Sequence, residues 1–123
     1  MRHLAHNFEI FLMRVFLLIC LFFVSGVSCA ADVQVNLSGA ELKALLVATG
    51  AFQARIDKIP KDSEFTIFLS GLNNYTISID GDGCCFKIKF MPVKYHGRSI
   101  FGGIFIYDID RVNFEIKRVI GEK

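Results

Sequence analysis

The chain has no strong charge of either sign. Its 123 residues carry 14 Lys/Arg against 12 Asp/Glu, a formal net charge of +2. Such a balance gives no electrostatic footprint for nucleic acid or for an anionic lipid surface. The chain also lacks an apolar run of the roughly 20 residues that a bilayer-spanning helix needs. There is no internal repeat, low-complexity segment or linker, and the length allows one domain at most. Histidine is scarce, with three in all. No metal or catalytic constellation stands out, and no cofactor motif is present.

Apolar residues, in contrast, are abundant. They make up 53% of the chain, and mean hydropathy is +0.46. The excess is concentrated in Val15-Phe16-Leu17-Leu18-Ile19-Cys20-Leu21-Phe22-Phe23-Val24, an unbroken run of ten. Arg14 precedes it, and the small residues Ser25 to Ala31 follow. A basic flank, a short greasy run and small residues form a secretory signal. Ser28 and Ala30 supply the small side chains that signal peptidase requires, so the expected boundaries are a signal at 1–30 and a single domain at 31–123. Met13-Arg14-Val15 reads as a cleaner start than Met1. A lipoprotein anchored through Cys29 is the less favoured form, because Gly26-Val27-Ser28 lacks the aliphatic side chain expected three positions upstream. The expectation is an exported protein, periplasmic or secreted, with no membrane span after processing.

Removing residues 1–30 takes Arg2, Arg14 and Glu9 and leaves a net charge of +1. It leaves one histidine, His96, two cysteines, Cys84 and Cys85, and eight of the 13 Phe. Asp32 to Leu37 alternates as a short strand would. Ser38-Gly39-Ala40-Glu41 matches a capping box. Leu42, Leu45, Leu46, Thr49 and Phe52 follow at helical spacing as one apolar face, and Gly50 weakens or ends that helix. Pro60 is a break. From Glu64 the period changes to two. Phe65–Leu69, Tyr75–Ile79, Cys84–Phe90, Gly103–Asp108 and Phe114–Val119 read as strands joined by short turns. In the third of these, Cys84, Phe86, Ile88 and Phe90 are expected to point inward and Cys85, Lys87 and Lys89 outward. The expected fold class is α+β: one N-terminal helix on a four- to five-stranded antiparallel meander.

Three readings of Cys84-Cys85 are open. Cys84 is a core residue with Cys85 free or joining two chains; or the pair is a vicinal disulfide; or it is a redox site. Redox enzymes space their cysteines by two residues at a helix start, which this chain does not. Asp80-Gly81-Asp82-Gly83 resembles the opening of a calcium loop, but Cys84 and Met91 stand where ligands are needed, so it reads as a hairpin turn. His96 alone cannot build a zinc site of the usual kind. His96 with Ser99 and Asp108 or Asp110 makes a conceivable hydrolase set without a nucleophile elbow. Otherwise Asp108 reads as a solvated edge and Asp110 as a turn starter. Tyr95, His96 and Arg98 are the candidate partner-binding residues, being types enriched at interaction hot spots. Asn36 and Asn74 head glycosylation sequons that matter only in a eukaryotic host.

The stretch from Phe86 to Ile116, with Gly102-Gly103 opening a strand that ends in Tyr107-Asp108, resembles small bacterial periplasmic proteins. These include PepSY-like domains and cystatin-like immunity proteins. The turn departs from their pattern, with Val112-Asn113 in place of Thr-Gly. The resemblance implies an exported binding or inhibitory module and carries over no functional residue. The leading expectation is therefore a non-enzymatic exported protein that blocks or escorts a partner protein in the envelope or outside the cell. A small secreted hydrolase using His96 with Asp108 or Asp110 is the second. A structural envelope-assembly component is the third, with homodimerisation through Cys85 or a sheet edge.

Overall fold

The structure, a computed structural model, describes residues 34–121 together with Glu9 and Arg14. The chain divides into two compact units, 1–35 and 36–123, and the second carries the elements below. The greasy run at 15–24, Met13, Cys29 and the cleavage point after Ala30 lie outside the described residues. No helix among the described residues is long and apolar enough to cross a membrane.

Helix α1 (Gly39–Ile56) begins where the capping box places it. The Ser38 hydroxyl accepts from the Glu41 amide at 3.1 Å, and the Glu41 carboxylate accepts from the Ser38 amide at 2.7 Å. These bonds satisfy two of the donors that a helix start leaves unpaired. Gly50 does not end the helix, which runs on to Ile56.

The buried face of α1 follows the expected apolar face only in part: Phe52 is at its centre and Leu45 packs against the core, but Leu42 and Leu46 are turned away from it. Ala44, Ala48, Phe52 and Ile56 are buried, whereas Leu42 and Leu46 are 47% and 64% exposed. The reason is volume. The sheet already presents Phe86, Phe90 and Tyr107 to the helix, and a close-packed interface with such bulk accepts small residues from the other side. The two alanines bring the helix close, and Phe52 fills the remaining space. Its ring stacks on Phe90 at 4.1 Å and meets Tyr75 edge-on at 4.8 Å.

Residues 65–69 are helical and not a strand. Helix α2 (Glu64–Leu69) starts from a second capping box, in which the Ser63 hydroxyl accepts from the Thr66 amide at 3.1 Å and Thr66 Oγ1 from the Ser63 amide at 3.0 Å. Those local bonds override the strand preference of an aromatic and β-branched run. Its last carbonyls are capped from downstream: Asn74 Nδ2 donates to the Phe68 oxygen at 2.8 Å and the Tyr75 hydroxyl to the Leu69 oxygen at 2.7 Å. A 3₁₀ turn (Leu72–Asn74) joins α2 to the sheet. Residues 34–37, expected in a strand, form no regular structure.

Strands β1 (Tyr75–Gly81), β2 (Cys85–Pro92), β3 (Phe105–Asp110) and β4 (Ile116–Gly121) form an antiparallel meander in sequence order, so β1 and β4 are its edges. With α1 lying across β2 and β3, the fold is α+β, one main helix on a four-stranded sheet. The register aligns Ile79, Ile88, Tyr107 and Val119 in one row toward α1. The opposite face carries the row Asp80, Lys87, Asp108 and Arg118, whose signs alternate. β4 starts two residues later than the alternation suggested. Phe114 adopts φ 57°, which breaks strand geometry and turns its ring against the core.

Candidate functional site

The residues singled out in Tyr95-His96-Gly97-Arg98 form a two-residue hairpin. Tyr95 and Arg98 exchange both backbone hydrogen bonds at 3.0 Å. His96 and Gly97 have φ of 48° and 73°, the positive values that a type I′ turn demands at both central positions. Gly meets this demand at no steric cost, and the His is held there by its neighbours. The hairpin is fixed to the fold through its aromatic base. Tyr95 packs on Phe65 at 5.1 Å and on Phe68 at 4.8 Å between ring centroids, both from α2. The start of the loop is tied down where the Val93 amide donates to the Asn74 oxygen at 2.8 Å. Thus α2, absent from the sequence reading, is the platform on which the loop stands.

A cleft of about 560 Å³ opens beside this hairpin, lined by Phe65, Tyr95, His96, Arg98, Ser99, Ile100 and Phe101. Phe101 is 98% exposed at its rim. His96 Nε2 lies 3.3 Å from Glu64 Oε1, and the imidazole packs edge-on to Tyr95 at 4.1 Å. Desolvation, helped by the Glu64 charge, pushes the Tyr95 phenol up. The sequence did not pick out Glu64, Phe65 or Phe101. The signal for the first two was Asp62-Ser63-Glu64 after Pro60, which is a helix start.

The carboxylates expected beside His96 are engaged elsewhere. Asp108 is not a solvated edge. It is 6% exposed on an inner strand, and it accepts from Lys87 Nζ at 3.1 Å, Arg118 Nε at 3.0 Å and Arg118 Nη2 at 2.8 Å. A buried carboxylate must be paired in this way. Asp110 does start a turn. Its side chain takes a bond from Lys117 at 2.9 Å and from the Val112 and Asn113 amides at 2.7 and 3.2 Å. The Lys117 bond first, then the two amides, lower its carboxyl from 3.8 to about 2. The carboxylate that faces His96 is Glu64.

Cys84 ends the turn between β1 and β2 and Cys85 opens β2; the two are joined as a vicinal disulfide with Cα atoms 3.8 Å apart. Their burial is the reverse of the alternation drawn from sequence: Cys84 is exposed and Cys85 is 4% exposed. The strand begins only at Cys85, so the period of two does not extend back to Cys84. In this structure the Cys85 sulfur is bonded to Cys84. Asp82 organises the turn. Its Oδ1 accepts from the Cys84 amide at 3.1 Å and the Cys85 amide at 3.0 Å, and lies 3.3 Å from Cys84 Sγ. The two amides, together with Lys87 and Arg111, hold the Asp82 carboxyl below its usual range. Ligand atoms of Asp82, Cys84 and Cys85 all lie within 4.8 Å of one another.

Of the sequons, Asn36 is exposed. Asn74 is half-buried and spends its amide on the Phe68 oxygen. No protein-family model, curated protein or solved structure matches the chain.

Proposed function

We propose that this is an exported, non-enzymatic binding protein that seats a partner protein on the hairpin Tyr95–Arg98 and the rim of its cleft. The observation that carries the reading is Phe101, 98% exposed at a cleft that Phe65 and Tyr95 also line. Leaving a phenylalanine in water forgoes about 1.5–3 kcal/mol of burial, which a partner recovers by covering it. Tyr95, His96 and Arg98 line the same cleft, and Tyr and Arg are among the types that dominate binding at interfaces. The greasy leader supports export, and the Gly102-Gly103 hairpin's resemblance to periplasmic immunity-type domains supports a blocking or escorting role.

The test is quantitative capture. The mature chain is immobilised against the envelope fraction of its own source, beside the double variant Arg98→Ala/Phe101→Ala. The expected result is one stoichiometric partner protein held by the native chain and lost by the variant. Equal capture by both sinks the reading.

A hydrolase draws on a different set from the one expected, His96 with Glu64 across 3.3 Å and Ser99 in the same cleft. His96→Ala separates the two: a hydrolase loses turnover, whereas a binder loses at most part of its affinity. Assembly through a sheet edge would use β1 or β4, and would give a mass that rises with concentration.

A further inference from the structure

We propose that the turn Asp82–Cys85, once its disulfide is reduced, is a binding site for a thiophilic divalent cation, held by the two thiolates and the Asp82 carboxylate. Two sulfurs and a carboxylate oxygen within 4.8 Å of one another can close on one ion. Two thiolates exclude Ca²⁺ and Mg²⁺, which take oxygen ligands, and favour a soft or borderline ion of the Zn²⁺ or Cd²⁺ kind. Three protein ligands leave the fourth tetrahedral position to water.

What makes the turn a site is that its backbone does not depend on the sulfur–sulfur bond. The Asp82 amide donates to the Cys85 oxygen at 3.0 Å, and the Arg111 amide to the Cys84 oxygen at 3.2 Å. The Cys84 and Cys85 amides donate to Asp82 Oδ1. None of these four bonds involves a sulfur, so reduction breaks none of them directly, and they hold both residues beside the carboxylate. Adjacent residues on a regular strand point to opposite faces, and such a pair could not chelate; here β2 begins only at Cys85. Two thiolates and a carboxylate around a divalent ion leave one net negative charge. Lys87 Nζ, 3.8 Å from Asp82 Oδ2, offsets it.

The disulfide makes the site conditional. A dithiol donor passes two electrons to the sulfur–sulfur bond and a proton to each sulfur, and leaves as its own disulfide. The cation then displaces both thiol protons to the solvent. The oxidised chain has no thiolate to offer, so it is the closed state of the site.

The probe is Cd²⁺ alone, added to the purified chain after reduction by a phosphine and anaerobic removal of the reagent. The readout is the ultraviolet thiolate-to-Cd²⁺ charge-transfer band, with circular dichroism to check the fold. Reduced native chain is expected to bind one ion per chain, and oxidised chain none. Cys84→Ser, at an exposed position, removes a ligand outright, so it should weaken binding by at least the roughly 10–100-fold that loss of an outer-shell partner costs, and halve the band. Asp82→Asn keeps an oxygen acceptor for the two amides but removes the charged ligand, and should weaken binding by about tenfold. No band in the reduced native chain, equal binding by the oxidised chain, or unchanged affinity in Asp82→Asn each overturns the proposal.

Discussion

The two ends of strand β2 solve opposite problems. At its start, the turn 82–85 is closed on itself. One carboxylate takes two amides, two sulfurs are bonded to each other, and Arg111 caps the turn by lying over the Phe86 ring at 4.3 Å. At its far end, the chain rises into a hairpin that packs on α2 with one aromatic and leaves another in water. The first end pairs its polar groups within the turn, and the second sets His96 beside Glu64 and leaves Phe101 exposed. A molecule with one small core can hold two such ends because its aromatic residues divide between them. Phe52, Tyr75, Phe90 and Phe105 gather toward the hairpin end, while Phe86 and Phe114, with Lys43 over the latter at 4.4 Å, serve the turn.

That division can be broken at its centre. Phe52→Ala removes the ring that touches Tyr75, Phe90, Phe105 and Tyr107, and should cost about 3–5 kcal/mol in chemical denaturation. If the aromatic groups act separately, hydrogen exchange in this variant should rise first at residues 93–98 and later at 82–85. Simultaneous loss would show that the two ends form one cooperative unit. A smaller effect follows at the hairpin itself. Gly97→Val forces a β-branched side chain into φ 73°, and should cost about 1–2 kcal/mol. Open space surrounds the position, so the penalty is conformational and not a clash. The turn 82–85 should exchange as in the native chain.

Phe101→Ala sharpens the contrast from the other side. A residue 98% exposed contributes little to the fold, so stability should change by less than about 0.5 kcal/mol. Partner capture should nevertheless fall more than for any single substitution at the cysteine end. A variant that unfolds readily, or that captures normally, would mean that Phe101 is held by this chain and not for a partner.

The fold was legible where local chemistry and long-range packing agree. The capping box at Ser38, the break at Pro60 and the alternation in Tyr75–Ile79 and Phe86–Phe90 each specify the same answer at both levels. It was not legible where they compete. Phe65–Leu69 has strand composition, and only the Ser63 and Thr66 bonds and the downstream caps from Asn74 and Tyr75 decide for a helix. In α1 helical spacing places Phe52 in the core and Leu45 against it, yet Ala44 and Ala48 are buried where Leu42 and Leu46 stay exposed. At the site, sequence pointed to Tyr95, His96 and Arg98, which do meet at one cleft. It could not supply Glu64, thirty-two positions earlier, because that neighbour is set by where α2 docks. Cys84 precedes β2, so the period of two does not reach it, and Cys85, inside β2 beside the buried Phe86, is buried although alternation places it outward.

The smallest expected effect is electrostatic, and it separates the two ends by acid. Asp110 stands opposite Cys85 in the sheet, so both depressed carboxyls, Asp82 and Asp110, belong to the cysteine end. A carboxyl whose value is lower in the folded state than in the unfolded one stabilises the fold above its unfolded value. For Asp110 that contribution is whole above about 3.8 and is lost as pH falls through about 2. Asp82 acts in the same direction. Melting temperature should therefore drop across this window, and Asp110→Asn should flatten the drop, because the neutral amide has no charge to lose. Hydrogen exchange over the same window should loosen the amides of Cys84, Cys85, Val112 and Asn113, which bond to these two carboxylates, before those of Tyr95 and Arg98, which bond only to each other's carbonyls. If the hairpin amides loosened first, acid would not be acting through the turn, and the cysteine end would not be the charge-dependent half of the sheet.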